Sequence, residues 1–218
     1  MRAFKFRSAA QIEFALDIIV NSRLRCSPWN KLNDPMEGMY AYSVRPGREN
    51  WAQKMVKGIA DQKGRYKICS LSSDFQSHLL WAHYAGGFDG VAIEVELPDD
   101  DPRIRKVEYR GVFAFCDMDN IVNEQQAAEL ILFSKYQEWR YEDEIRILHD
   151  NEWYHLDRPP LRVIAGHRMS DALFRVLGTA CRYAEVDFAR VGIGDEGIDA
   201  DAVSPHELQF PKRPRPHR

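Results

Sequence analysis

The chain has 218 residues, 44% hydrophobic and 29% charged, with a net charge of −3. That length suits one sizeable core and is short for two domains of roughly 150 residues each. The near-neutral balance excludes a global electrostatic footprint for nucleic acid and leaves room only for a local patch. No stretch reaches about 18 consecutive apolar residues, and "FALDIIV" is interrupted by Asp17. "MRAFKF" is not followed by an apolar run long enough for a signal peptide. Cys26, Cys69, Cys116 and Cys181 stand singly, which argues against a disulfide framework or a cysteine zinc site and predicts a cytoplasmic protein with no membrane partner. Residues 1–210 are expected to form a single globular domain. The tail "PKRPRPHR", 211–218, is expected to be a disordered basic terminus, because alternating proline forbids helix and sheet ladders.

In chain order, "RAFKFR" alternates Phe4 and Phe6 with Lys5 and Arg7 and predicts a first strand. Ser8 and Gln11 have the spacing of a capping box opening a helix with Ile12, Leu16, Ile19 and Val20 inward. "RLRCS" predicts a short strand, and "PWNKLNDPMEG" a turn-rich loop held by Pro28 and Asp34-Pro35. Asn50 caps a predicted helix burying Trp51, Met55, Val56 and Ile59, and "YKICSLS" is a strand. "SHLLWAHYA" then reads as a short helix, and two glycines lead to the alternating strand "VAIEVEL". "KVEYRGVFAF" supplies one or two strands, and a long helix is predicted from about Asp119 to Arg140. "EIRIL" and "LRVIAG" are strands, Ser170 caps a helix ending near Tyr183, and "EVDFARVGI" is the final strand. Helices and strands mix without regular βαβ alternation. The expected class is therefore α+β, with a mixed, largely antiparallel sheet and flanking helices.

Two stretches carry chemistry. Ser77 and Tyr84 lie about two helical turns apart and share a face to within roughly twenty degrees, which lets the Tyr84 ring line a pocket at the helix end, although the residues by themselves favour a half-buried tyrosine bonded to a backbone carbonyl. His78 and His83 are five apart, off the spacing of a helical metal pair, so no metal site is predicted there. In "EWRYEDEIRIL", an extended chain turns Glu142, Glu144 and Arg146 to one side and Ile145 and Ile147 to the other. Two such carboxylates suit a cationic glycosidic transition state or a divalent metal; the same pattern also suits an exposed strand face, which the residues by themselves favour. "DEGIDADAV" imitates a calcium loop but has His206 where the twelfth-position glutamate belongs.

"FKFRS", "CSPWNKLNDPMEG", "CSLSSDFQSHLLWAHYAGGFDGVAIEVEL", "KYQEWRYEDEIRIL" and "VIAGHRMS" together resemble the bacterial family catalogued as domain of unknown function twenty-nine seventy-one, over about residues 4–190. The order of parts is also similar to the ADP-ribosyltransferase fold of poly-ADP-ribosylating enzymes, DNA-modifying toxins and RNA 2′-phosphotransferases. This second resemblance implies a split sheet and NAD as substrate. It implies a first strand with Arg7 or Lys5 at the diphosphate. Ser72, Ser77, His83 and Tyr84 would follow around nicotinamide, and Glu144 or Glu142 would serve the ribose. No histidine stands in the first strand here, and two glutamates compete for one role. A toxin or phage-defence effector, acting on nucleic acid or protein and paired with an antitoxin, is the implied setting. Two alternatives are a metal-dependent nuclease or phosphoesterase using Glu94, Glu96, Glu142, Glu144 and His83, and a nucleotide-sensing module without turnover.

Overall fold

The computed structural model describes residues 1–111, 113–194 and 197–205; the basic tail lies outside the described residues. Strand β1 (Arg2–Arg7) leads through a 3-10 turn into α1 (Ile12–Asn21). Strands β2 (Arg23–Arg25) and β3 (Ser27–Pro28) follow, then β4 (Tyr40–Ser43). Helix α2 (Glu49–Arg65) and β5 (Lys67–Ser72) precede α3 (His78–Tyr84) and β6 (Val91–Glu96). Next come β7 (Ile104–Lys106), β8 (Glu108–Arg110) and β9 (Ala114–Asp117), then α4 (Glu124–Leu132) and β10 (Ser134–Tyr136). After a 3-10 turn at Gln137–Glu142 the chain forms β11 (Glu144–His149), β12 (Trp153–His155) and β13 (Arg162–Ala165). Helix α5 (Asp171–Tyr183) and strands β14 (Asp187–Gly194) and β15 (Gly197–Pro205) complete the described chain.

The fold is α+β. The main sheet runs β15-β14-β13-β6-β1-β5-β11-β7, antiparallel except between β13 and β14, and β3 also pairs with β5. Its largest core packs Val91, Ile93 and Val163 with Ile18 and Ile19 of α1 and Leu177 and Cys181 of α5. A second core holds Phe4, Phe6, Ala92 and Ile164 with Leu80 and Trp81 of α3. Trp81 is fully buried; its indole N–H donates to the Phe75 carbonyl at 2.6 Å and its ring meets Phe6 edge-on, which locks α3 onto the sheet. A third cluster joins Met55 and Ile59 of α2 to Ile131 of α4 and Cys116 of β9. Among the described residues no helix is long and apolar enough to cross a membrane.

Several local expectations are corrected. The long helix predicted over 119–140 is confined to α4, capped by the Asn123 side chain on the Gln126 N–H. Phe133 ends it, and the following residues pair with β8 as β10, because the ladder and Lys135 contacts outweigh the helical composition. Ser8 makes no side-chain cap, and Asn50 sits inside α2 rather than ahead of it. Val20 is 48% exposed; Ala15 and Ile18 fill the inward face beside Ile19. β15 follows the strand expected to be last. Ser170 does cap α5, accepting from the Leu173 N–H.

Candidate functional site

A cleft opens where β1 leaves β5. The two strands share a single registered pair, Phe4 with Ser72, whereas β1 keeps six pairs with β6 and β5 keeps six with β11. The other end of β5 is taken by β3, through Ser27 and Ile68. Between those two attachments lies a cavity of about 560 Å³, inside the roughly 300–1,000 Å³ range of small-molecule sites. Lys5 and Arg7, Ser70 and Ser72, His83 and Tyr84, and Glu142, Glu144 and Arg146 all line it.

One part of the cleft is positive. The Lys5 ammonium donates to the Ser70 carbonyl across the split, and burial pushes its pKa down. Arg7 Nε is buried without a hydrogen-bond partner among the described residues, and burial likewise lowers its pKa. A buried donor without an acceptor costs about 1–3 kcal/mol, and an anionic ligand that fills it recovers that energy.

Beside these cations runs a ladder of buried charges, since the Ser70 that holds Lys5 pairs across the strands with Arg146. The Arg146 guanidinium is fully buried and donates to both Glu37 oxygens at 2.7 and 2.6 Å. It also reaches Glu144, with Nε to Oε1 at 2.7 Å. The Lys135 ammonium joins Glu144 Oε2 at 3.1 Å to Glu142 Oε2. The Tyr84 hydroxyl donates to Glu142 Oε1 and accepts from the Asn33 amide at 2.6 Å. Within the ladder three carboxylates face two cations, and Lys5 brings a third positive charge close to Glu144. Burial by itself would raise the Glu144 pKa, but Arg146 and then Lys135 outweigh it and hold it at about 2. Burial raises the Glu142 pKa, with Lys135 opposing. Burial, then the Glu142 charge, also raises that of the Tyr84 phenol. The exposed-face reading of this strand is therefore overturned: Glu142, Glu144 and Arg146 are 5%, 2% and 0% exposed. Glu142 lies not on the strand but at the end of the 3-10 turn, before left-handed Asp143.

The Glu144 shift has a measurable consequence. A carboxyl whose pKa falls from the ordinary 4.5 to about 2 on folding stabilises the native state above its unfolded pKa. That stabilisation, on the order of 3 kcal/mol, disappears as pH falls through the folded value. In melting temperature against pH, the difference between wild type and Glu144→Gln should therefore shrink between about pH 4.5 and 2. A constant difference would exclude a charge origin.

Of the residues expected at the site, Lys5, Arg7, Ser72, His83, Tyr84, Glu142 and Glu144 all line the cleft. Ser72 does so as a brace: its hydroxyl donates to the Glu142 carbonyl at 2.7 Å. Ser77 does not line it. It stands before the first turn of α3, and seven residues of helix at 1.5 Å per residue put it about 10 Å from Tyr84. Glu94 and Glu96, invoked for a metal-dependent nuclease, are held elsewhere by Arg162 and Arg158. Among the described residues no group of three or more His, Cys, Asp or Glu is placed to hold a metal ion. Asn33, Glu37 and Lys135 were not anticipated, although the first two fall in the "NDPMEG" stretch that carries the family resemblance. Comparison with family models, curated proteins and solved structures finds no match for the chain.

Proposed function

We propose that the chain cleaves NAD between nicotinamide and ribose and transfers ADP-ribose, in the manner of the ADP-ribosyltransferase-like enzymes it resembles. The carrying observation is the convergence of Arg7, Tyr84, Glu142 and Glu144 on one cleft. NAD carries a diphosphate, which suits the cations of the cleft, and a cationic nicotinamide ribosyl group, which suits its carboxylates. In this reading Arg7 and Lys5 meet the diphosphate, the phenol ring of Tyr84 lies against nicotinamide, and the carboxylates of Glu142 and Glu144 face C1′. Glu144, pinned by Arg146 and Lys135, is the fixed anion. Glu142 exchanges its Tyr84 partner for the ribose hydroxyl. The C1′–N bond breaks with its electron pair leaving on neutral nicotinamide, and positive charge develops on the sugar. The acceptor then bonds to C1′ and its proton passes to Glu142. A carboxylate that holds the sugar hydroxyl most strongly at that moment lowers the barrier instead of only tightening binding. Four buried, free cysteines suit a reducing cytoplasmic setting.

Purified protein incubated with NAD should release nicotinamide, detected by chromatography, at the same rate in excess chelator. Arg7→Ala should raise the KM for NAD about ten- to a hundredfold through loss of a charge-assisted contact. No release and no NAD binding by the wild type would end the reading; binding without release would leave a nucleotide-sensing module.

A further inference from the structure

The Tyr84 hydroxyl has two hydrogen-bond partners among the described residues, Glu142 and Asn33. An ionised carboxylate only accepts, so the single phenol proton points at Glu142 Oε1. The Tyr84 oxygen is left to accept, and the Asn33 amide meets it through Nδ2 at 2.6 Å. The other Glu142 oxygen takes the Lys135 ammonium. That ammonium is buried and also tied to Glu144 at 3.1 Å, so it stays in place. The partner at Oε1 is a hydroxyl, whose proton turns about one bond.

Opening Glu142 Oε1 to a ribose hydroxyl therefore requires the Tyr84 proton to turn away. With nicotinamide against the phenol ring, water is kept from the hydroxyl, and a buried donor without an acceptor is costly. Asn33 is the remaining partner, and a side-chain amide carries an acceptor as well as donors. A half-turn of the amide exchanges Nδ2 for Oδ1. Tyr84 then donates to Asn33, with its proton still on the phenol. The placement of Asn33 allows that turn: the residue is exposed, whereas the loop that follows it is fixed. Buried Asp34 accepts from the Met36 N–H at 2.8 Å through its side chain and from the Glu37 N–H at 3.1 Å through its carbonyl. Glu37 in turn is clamped by Arg146.

We propose that Asn33 is a positioning residue that gates Glu142: its amide donates to Tyr84 before substrate engages and accepts from Tyr84 when the ribose hydroxyl takes Glu142. Asn33 touches no reacting atom and acts only through the phenol proton. This role rests on the transferase reading. Asn33→Asp separates the two functions of the amide, since a carboxylate accepts in both states. The titratable groups around Glu142 are Lys135 of β10, Glu144 of β11, Tyr84 of α3, Tyr109 of β8 and the adjoining Tyr141. A change at Asn33 removes none of them.

The test is a double-mutant cycle on nicotinamide release, with Asn33→Ala and Tyr84→Phe made singly and together. Asn33→Ala should lower kcat about tenfold, the weight of one hydrogen bond, and leave KM for NAD and the melting temperature unchanged. In the Tyr84→Phe background the same substitution should change kcat by no more than about twofold, because no phenol proton remains to redirect. Asn33→Asp should move the acid limb of release upward, since a second carboxylate draws the phenol proton from Glu142 and sets a negative charge beside it. Unchanged kcat in Asn33→Ala, the same loss in both backgrounds, or an unmoved acid limb in Asn33→Asp would overturn the role of Asn33 and leave the transferase reading standing. A wild type that releases no nicotinamide would overturn that reading, and the gate with it.

Discussion

Arg146→Ala should unfold more readily than any other single substitution in the cleft, losing about 3–5 kcal/mol of the roughly 5–15 that holds such a domain together. The guanidinium is fully buried and serves Glu37, Glu144 and the Leu132 carbonyl at once. Its removal strands the buried Glu37 carboxylate and leaves Glu144 with Lys135 alone, so their desolvation is no longer fully offset. Urea unfolding should show a lower midpoint with unchanged slope, and the melting temperature should fall by roughly 6–20 °C. Adding Glu37→Gln and Glu144→Gln to Arg146→Met should restore much of the loss, because a neutral, well-packed set replaces the uncompensated charges. A loss below about 1 kcal/mol for Arg146→Ala would mean that the ladder carries little net stability.

Glu142→Gln should act on chemistry rather than on folding. Lys135 keeps Glu144 as its partner, so no cation is left alone, and the amide is nearly isosteric. Nicotinamide release should fall by about ten- to more than hundredfold in kcat, the effect of one charge-assisted bond of roughly 1.5–3 kcal/mol made in the transition state. KM for NAD should change little, since the proposed diphosphate contacts are Arg7 and Lys5 rather than Glu142. Burial raises the Glu142 pKa, so the acid limb of wild-type release should lie above the ordinary carboxylate range and vanish in the variant. Equal turnover by both proteins would remove Glu142 from the mechanism. A fall in KM with kcat intact would recast it as a binding group.

Most of the cleft was legible because its residues sit on strongly patterned segments. β1 reads from Phe4 and Phe6 alternating with Lys5 and Arg7, and α3 ends at Tyr84, where two glycines stop the helix. Lys135 was hidden by its surroundings. Glu-, Gln- and Ala-rich sequence favours helix by propensity, and only the pairing of β10 with β8 pulls Lys135 out of it. Ser77 shows the opposite failure: seven-residue spacing put it on the face of Tyr84, yet the same spacing sets it about 10 Å back along the axis, away from the cleft. Glu142 and Glu144 were recognised as a pair, yet their burial depends on Glu37, 109 residues away from the Arg146 it binds.

By itself the sequence determined the α+β class, the strands and helices with clear period, and most of the residue types that meet in the cleft. These follow from local periodicity, which each segment carries within its own dozen residues. Only the tertiary structure decided that β1 parts from β5 after one pair, that the buried charges form a ladder, and that Arg7 Nε is buried without a hydrogen-bond partner among the described residues. Those outcomes depend on register and divergence between distant strands. They arise from the competition of many weak long-range contacts, and no single stretch of chain encodes them.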